Sequence, residues 1–257
     1  MVDVMAALRA QGFLLLRGVF TPEEAAEITV RLQAALGAVA DASAIRSRGQ
    51  SVYAGRNLFD WFPQAKRLWD RPPLQELLAN VLGERGGLVR GLFFDKPPDQ
   101  AWSLPWHRDR TIAVRDNRLP SSLFTHPTVK AGVPHVEAPV ELLRQMLTLR
   151  IHLDAADEQN GALQVLPGSH QEGTSDSPPT GDGVLIAAAA GDVLAMRPLL
   201  SHCSGSSLPG VDRRRRILHF EFAPSPDLPD GFVWHDFERV QPTEIGCGIA
   251  ESREKEL

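Results

Sequence analysis

The sequence predicts a mainly β protein, a double-sheet jelly roll with its helices gathered at the N-terminus. Three observations lead there. Helical periodicity is confined to the stretch before Leu88. Beyond it, short apolar runs alternate with turn residues, the pattern of a sandwich or barrel. The 257 residues are enough for one large domain with a sizeable core, and such folds are not counted by dividing length by an average domain size. We expect one domain over 1–257: a helical part over about 1–86, a jelly-roll core over about 87–223 and an extension over about 224–257.

Composition narrows the class. Apolar residues at 43% and charged residues at 23% are those of a soluble globular protein. A net charge of −5 gives no general attraction to nucleic acid or to an anionic membrane, so neither is an expected partner. The two cysteines, Cys203 and Cys247, cannot build a disulfide framework and suit a reducing cytosol. No run approaches the roughly 20 apolar residues of a membrane-spanning helix, and the start lacks signal-peptide features. The expected location is cytoplasmic.

In chain order, Gln11 to Phe20 reads as a short buried strand between glycines. Thr21 then caps a helix, with Glu24 as its capping-box partner and Ala25, Ile28, Leu32 and Leu36 as the apolar stripe. Asp41 to Gly55 is polar and irregular, a surface loop or lid. A second helical region runs from about Trp61 to Leu82, interrupted at Pro72-Pro73 and stopped by Gly83. Leu88 to Asp95 is a strand, ended by Lys96-Pro97-Pro98-Asp99 because proline cannot continue a ladder. Asp116 to Pro139 has no periodicity, and so long a connection inside a domain is usually functional or mobile. Met146 to Leu153 is a strand, followed by Asp157 to Gly161 with the Asn-Gly signature of a hairpin turn. Leu163 to Leu166 returns, Pro167 to His170 turns again, and Glu172 to Gly183 is a loose loop. Val184–Ala188 and Asp192–Met196 are short strands around Gly191, and Arg215–Phe222 is the last.

The chemistry lies in Leu104-Pro105-Trp106-His107-Arg108-Asp109 and in Leu200-Ser201-His202-Cys203-Ser204. In extended backbone, side chains repeat every second residue, so His107 and Asp109 face one side. One imidazole and one carboxylate, joined by a histidine from another strand, form the two-histidine, one-carboxylate face of non-haem Fe(II) oxygenases.

The motifs also carry a resemblance. Phe93 to Pro98, Trp106 to Asp109, Asn160 to Leu163 with Leu166 to His170, Gly191-Asp192, Met196 to Leu200 with His202, and Arg215 to His219 follow one another in order across roughly residues 88 to 223. The ordered set resembles bacterial members of the phytanoyl-CoA dioxygenase family, within the Fe(II)- and 2-oxoglutarate-dependent oxygenases. The resemblance implies a double-stranded β-helix, the cupin-like jelly roll, with helices packed on its major sheet. It implies Fe(II), 2-oxoglutarate as co-substrate and O2, with His107, Asp109 and His202 as metal ligands. The implied reaction hydroxylates an unactivated carbon of a small-molecule metabolite and releases succinate and CO2. In the related halogenases a small residue replaces the acid, so Asp109 points to oxygenation.

A co-substrate with a distal carboxylate needs a fixed cation, and guanidinium accepts carboxylate bidentately without losing its charge. Arg213-Arg214-Arg215-Arg216 offers four, of which a strand can aim only alternate members inward. The family motif selects Arg215, which shares a face with Ile217, His219 and Glu221. Leu218, Phe220 and Phe222 form the opposite, apolar face. Arg213 has the same parity and competes for the role, because the segment after His202 is two residues longer than is usual in the family.

Other expectations are softer in kind. Lys96 stands at a family position near the co-substrate, although a lysine before two prolines also reads as an exposed strand end. Thr148, Arg150 and His152 alternate on one strand face toward the pocket. Many relatives carry tryptophan at the position of Arg150, which suggests a polar or anionic substrate feature or a second co-substrate contact. Trp106 reads as core packing, Cys203 as a small buried hydrophobe, and His126 and His135 as loop residues within reach of the site mouth. Asn57, in Gly55-Arg56-Asn57-Leu58, resembles a family segment near the pocket. Two readings from other classes stay open: a cupin-like isomerase or hydrolase with another metal, which would not need Arg215, and a non-catalytic ligand-binding jelly roll.

Overall fold

The computed structural model describes residues 4–39, 42–48, 51–98, 102–172 and 181–240. Asp41, Asp99, the stretch 173–180 of the loose loop, and 241–257 with Cys247 lie outside the described residues.

Helix α1 (Val4–Ala10), which the sequence reading leaves out, precedes β1 (Phe13–Leu16). Helix α2 (Pro22–Gly37) begins as the capping box requires. The Glu24 N–H donates to Thr21 Oγ1 at 3.2 Å, and the Thr21 N–H to Glu24 Oε2 at 2.9 Å. Ala25, Ile28 and Leu32 are its buried face.

Asp41 to Gly55 is largely a hairpin rather than a loop, formed by β2 (Ile45–Arg48) and β3 (Ser51–Gly55). It extends the sheet edge through Ala54 opposite Phe94 and Gly55 opposite Phe93. The hairpin has no continuous buried face to imprint an apolar alternation, since Arg46, Ser47 and Arg48 are exposed. The short α3 (Leu58–Trp61) leads to α4 (Pro72–Leu82). Pro72 and Pro73 open α4 instead of interrupting a longer helix, because the first helical N–H groups have no partner to lose. Gly83, at φ +71, stops it.

The long strand β4 (Gly87–Lys96) is followed by β5 (Leu104–His107) and β6 (Thr111–Ala113). Asp116 to Pro139 also departs from expectation: β7 (Thr125–Lys130) and β8 (Val133–Glu137) pair as a hairpin and β8 pairs β6. Nearly all of β7 is exposed, so it shows no period-two signal. Helix α5 (Val140–Gln145) precedes β9 (Leu147–His152). Then come β10 (Leu163–Val165), β11 (Val184–Leu185), β12 (Val193–Met196), β13 (His202–Ser204), β14 (Arg215–Ala223) and β15 (Glu238–Arg239). Ala188, expected inside β11, makes only an isolated bridge to Ala156. The Asn160-Gly161 turn closes no hairpin, because β9 and β10 belong to different sheets and the turn crosses between them. Gly161 sits at φ +68, where a Cβ would strike the Gly205 carbonyl.

Among the described residues the major sheet runs β1-β12-β9-β14-β4-β3-β2, with β15 on β4, and the minor sheet runs β11-β10-β13-β5. The alternation expected along β14 decides the layers. Leu218, Phe220 and Phe222 join Leu149 and Ile151 of β9 in one buried cluster with Ile28 and Leu32 of α2 and Leu74, Leu77 and Leu78 of α4. Each such side chain contributes about 2 kcal/mol by leaving water. The other face of the same strands carries Arg150, His152, Arg215, His219 and Glu221, all buried. A jelly roll with helices on the outer face of its major sheet is thus the observed architecture. No helix among the described residues is long and apolar enough to cross a membrane.

Candidate metal centre

The polar inner face of the major sheet and strands β5 and β13 of the minor sheet enclose a cavity of about 690 Å³. His107 ends β5 and His202 begins β13, and the two are register partners. Asp109, two residues beyond His107, is held by its own N–H, which donates to the Pro198 carbonyl at 2.9 Å. Donor atoms of His107, Asp109 and His202 all lie within 4.8 Å of one another.

Each histidine is oriented from behind. Nδ1 of His107 is 2.8 Å from the Pro105 carbonyl and Nδ1 of His202 is 2.8 Å from the Leu200 carbonyl. Donation from Nδ1 leaves Nε2 as the lone-pair nitrogen on both rings, the form that ligates metal. Those Nε2 atoms are 4.0 and 3.7 Å from the Asp109 carboxylate. Burial keeps His202 neutral, helped by the charges of His107 and Arg150 against the pull of Asp109. Burial opposes ionisation of Asp109, and its mutual interaction with the surrounding His202, His219 and His107 rings, together with the charge of Arg150, outweighs it and holds the carboxyl low. Asp109 Oδ2 is buried and has no hydrogen-bond partner among the described residues.

Two guanidiniums face this group. Arg215 is buried, lines the cavity, and has Nε and Nη1 without partners among the described residues. Burial and neighbouring Arg150 lower its pKa to about 9, with Asp95 opposing. Arg150, also in the lining, donates to His219 Nδ1 at 3.2 Å, and burial lowers its pKa to about 10 against the attraction of Asp109. Arg213 is instead on the surface, paired with Asp157 at 2.9 Å.

Lys96 is not in the cavity lining. It is the last residue of β4, fully buried rather than an exposed strand end. Its Nζ donates to the Gly161 carbonyl at 3.3 Å, to Ser204 Oγ at 3.1 Å and to the Gly205 carbonyl, tying the major sheet to the Gly161 crossover. Burial and the charges of Arg215 and Arg150 lower its pKa to about 7. Thr148 and His152 share the inner face with Arg150 but lie behind the lining, fully or almost fully buried.

The remaining expectations divide. Trp106 is 37% exposed rather than core, because β5 is the edge of the minor sheet and alternation turns Trp106 away as His107 turns in. His126 is exposed on Glu137 at 2.9 Å and His135 is buried on the Val133 carbonyl; neither lines the cavity. Cys203 is half-buried and free. Asn57, at φ +50, donates through Nδ2 to the Ala131 carbonyl at 3.0 Å, joining the end of β3 to the β7–β8 hairpin. The sequence reading missed Arg46, Tyr53, Arg56, Arg90 and Glu137, all in the lining. Arg90 had a findable signal, since it opposes inward-facing Glu221 in the β4–β14 ladder.

The family model described as Phytanoyl-CoA dioxygenase (PhyH) matches residues 8–215. A curated relative, the dioxygenase lolE1 of Epichloe uncinata, is 30% identical over 145 residues, 49% of this chain and 54% of that protein. The chain thus spans about half the length of that relative. Among solved structures, EctD from S. alaskensis superposes with a TM-score of 0.67 at 18% identity, covering 87% of this chain and 76% of EctD. SnoN, a non-haem α-ketoglutarate-dependent epimerase of nogalamycin biosynthesis, gives 0.63 at 18% identity, covering 88% and 84%. At these identities the structural likeness is one of fold.

Proposed function

The chain belongs to the phytanoyl-CoA dioxygenase family, and from that premise we propose that it is an Fe(II)- and 2-oxoglutarate-dependent dioxygenase hydroxylating an unactivated carbon of a small-molecule metabolite. The observation that carries this reading is the convergence of His107, Asp109 and His202 within 4.8 Å on a cavity that also holds buried Arg215, whose Nε and Nη1 have no partner among the described residues. The triad carried by the minor sheet and Arg215 and Arg150 of the major sheet meet at one cavity, which supports a single catalytic domain across the described residues.

The residues fit the metal. Two imidazoles with Nδ1 committed to backbone carbonyls and a carboxylate with an oxygen unpartnered among the described residues are a donor set that would hold Fe(II). With 2-oxoglutarate and O2, bound Fe(II) supplies the oxidant, and succinate and CO2 are the co-products. EctD, the fold relative, has been solved with Fe and with 2-oxoglutarate and 5-hydroxyectoine.

The chain's own part is positioning. Arg215 meets the distal carboxylate of 2-oxoglutarate, and Arg150, held by His219, adds a second positive charge beside it. Arg150 Nε and Arg215 Nε and Nη1 have no hydrogen-bond partner among the described residues and the two guanidiniums repel one another, so a dianionic co-substrate removes a repulsion as well as making contacts. Phe94 packs edge-on to His219 at 5.8 Å and fixes the ring that orients Arg150. Lys96, behind the lining, ties the sheet to the Gly161 crossover rather than holding the ligand, and Thr148 lies behind the lining as well.

Succinate formation tests the proposal. Aerobic protein with Fe(II), 2-oxoglutarate and a panel of small metabolites should release succinate, abolished in His107→Ala. Absence of succinate under every condition would contradict the reading, and turnover unaffected by Arg215→Ala would favour another metalloenzyme class.

A further inference from the structure

The cavity carries more positive charge than the metal and co-substrate account for. Its lining holds eight arginine and lysine side chains against three carboxylates. Glu221 is taken by Arg90 at 3.2 Å, Glu137 by Arg110, and Asp109 belongs to the triad. Lys130 donates to Thr111 Oγ1 at 2.9 Å. Arg108 donates to the Leu199 carbonyl at 3.0 Å and pairs with Glu172 at 3.4 Å, and Arg150 and Arg215 are assigned above. Arg56, half-buried just beyond β3, and Arg46, exposed on β2, are left with no side-chain hydrogen bond or salt bridge among the described residues.

Their place in the sheet separates them from the co-substrate arginines. Gly55 pairs with Phe93, so Arg56 continues toward Leu92, which opposes His219, which in turn opposes Arg150. Neighbouring strands are ~4.8 Å apart, which places the Arg56 backbone roughly 14 Å from that of Arg150. Arg46 opposes Ala54 across the hairpin and so presents its guanidinium to the same end of the cavity. Burial, then the charges of Arg90 and Arg46, lower the Arg56 pKa against Glu221 and Tyr53, which marks that end as crowded with positive charge. Leu92 and Phe94, inward-facing on β4 beside His219, give the lining an apolar strip, with the Arg90–Glu221 pair and Lys130 also in the wall.

We propose that the substrate of this oxygenase carries an oxyanion headgroup, a carboxylate or a phosphate, that Arg56 receives together with Arg46, while its apolar body lies along Leu92 and Phe94 toward the metal. The inference rests on the oxygenase reading above. The β2–β3 hairpin is then the element that selects the substrate's charge. A guanidinium fork binds either oxyanion bidentately and gives a neutral isostere nothing comparable.

The test measures binding, not turnover. Calorimetry on protein loaded anaerobically with Fe(II) and saturating 2-oxoglutarate uses octanoate, octyl phosphate and octanamide as probes. At least one anion should bind about tenfold or more tightly than octanamide, and whichever does so names the headgroup. That advantage should fall below about threefold in Arg46→Gln/Arg56→Gln and persist in Arg213→Gln, whose side chain lies outside the cavity. Anions that bind no better than octanamide to the wild type, fail to bind at all, or keep their advantage in the double variant would overturn the proposal. The same titrations on metal-free protein read the headgroup site alone, so loss of anion selectivity and failure of the oxygenase reading are separate results.

Discussion

His107 and His202 are opposite one another on β5 and β13, with ring centroids 4.2 Å apart. The antiparallel ladder of the minor sheet, rather than a loop, therefore sets the distance between two of the three candidate ligands. Asp109 is brought to them by one backbone bond to Pro198. A site on paired strands is held closely in place before any metal arrives.

Removing one member should therefore abolish metal affinity without unfolding the sheet. His107→Ala or His202→Ala is expected to weaken Fe(II) binding by about 100-fold or more, measured by equilibrium dialysis under nitrogen. A melting temperature close to that of the metal-free wild type should accompany the loss.

Arg215 and Arg150 make the opposite kind of prediction. Two buried, mutually repelling guanidiniums with N–H groups unpartnered among the described residues destabilise the empty protein, so Arg215→Met should melt no lower than the wild type when no ligand is present. Saturating 2-oxoglutarate should add about 2 to 3 kcal/mol to the wild type at a hundredfold excess over its Kd, and far less to the variant. Differential scanning fluorimetry with and without co-substrate reads both effects.

Lys96 separates a structural cation from a binding one. Lys96→Met strands the Gly161 and Gly205 carbonyls and Ser204 Oγ. The expected cost is about 2 to 3 kcal/mol of stability, with 2-oxoglutarate affinity, followed by calorimetry, changed less than about threefold. A loss of affinity as large as that of Arg215→Met would put Lys96 back at the co-substrate.

Buried neutral histidines set the pH dependence of stability. Burial, with Arg90, lowers the pKa of His135 to about 4; burial, with Arg150 and Arg215, lowers that of His152 to about 3. Between pH 6.5 and these values the unfolded chain takes up protons that the folded chain refuses, so stability is fullest above pH 6.5 and falls as pH drops. Between pH 7.5 and 5.5 the wild type should lose about 2 to 3 kcal/mol more than His135→Gln/His152→Gln, measured by urea unfolding. Parallel losses in both proteins would show that these histidines do not titrate on unfolding.

The parts of the molecule that were legible are those where a short-range pattern carries the information. The two-residue spacing of His107 and Asp109 survives any tertiary arrangement, and the alternation along β14 sorted Arg215, His219 and Glu221 from Leu218, Phe220 and Phe222 before the layers were known. The capping box at Thr21 is equally local. Where burial depends on a distant partner, sequence pattern failed. Strands β2 and β7 are mostly exposed and carry no alternation, and each hairpin docks on a strand distant in sequence or outside itself. The ammonium of Lys96 is buried by the crossover at Gly161 and Gly205, which nothing near Pro97 announces. Arg56 stands in the Gly55-to-Leu58 segment that resembles one near the pocket, but nothing local marks its guanidinium, which joins the lining only because the hairpin docks on β4.

Anaerobic titration of the metal-free protein with Fe(II) and then 2-oxoglutarate, followed by visible absorption, tests the central claim most directly. A weak metal-to-ligand charge-transfer band should appear with both additions, vanish in His107→Ala, and need far more 2-oxoglutarate in Arg215→Ala than in Arg213→Ala. No band at any concentration, or one that survives loss of His107, would contradict the assignment of this cavity as an Fe(II) and 2-oxoglutarate site.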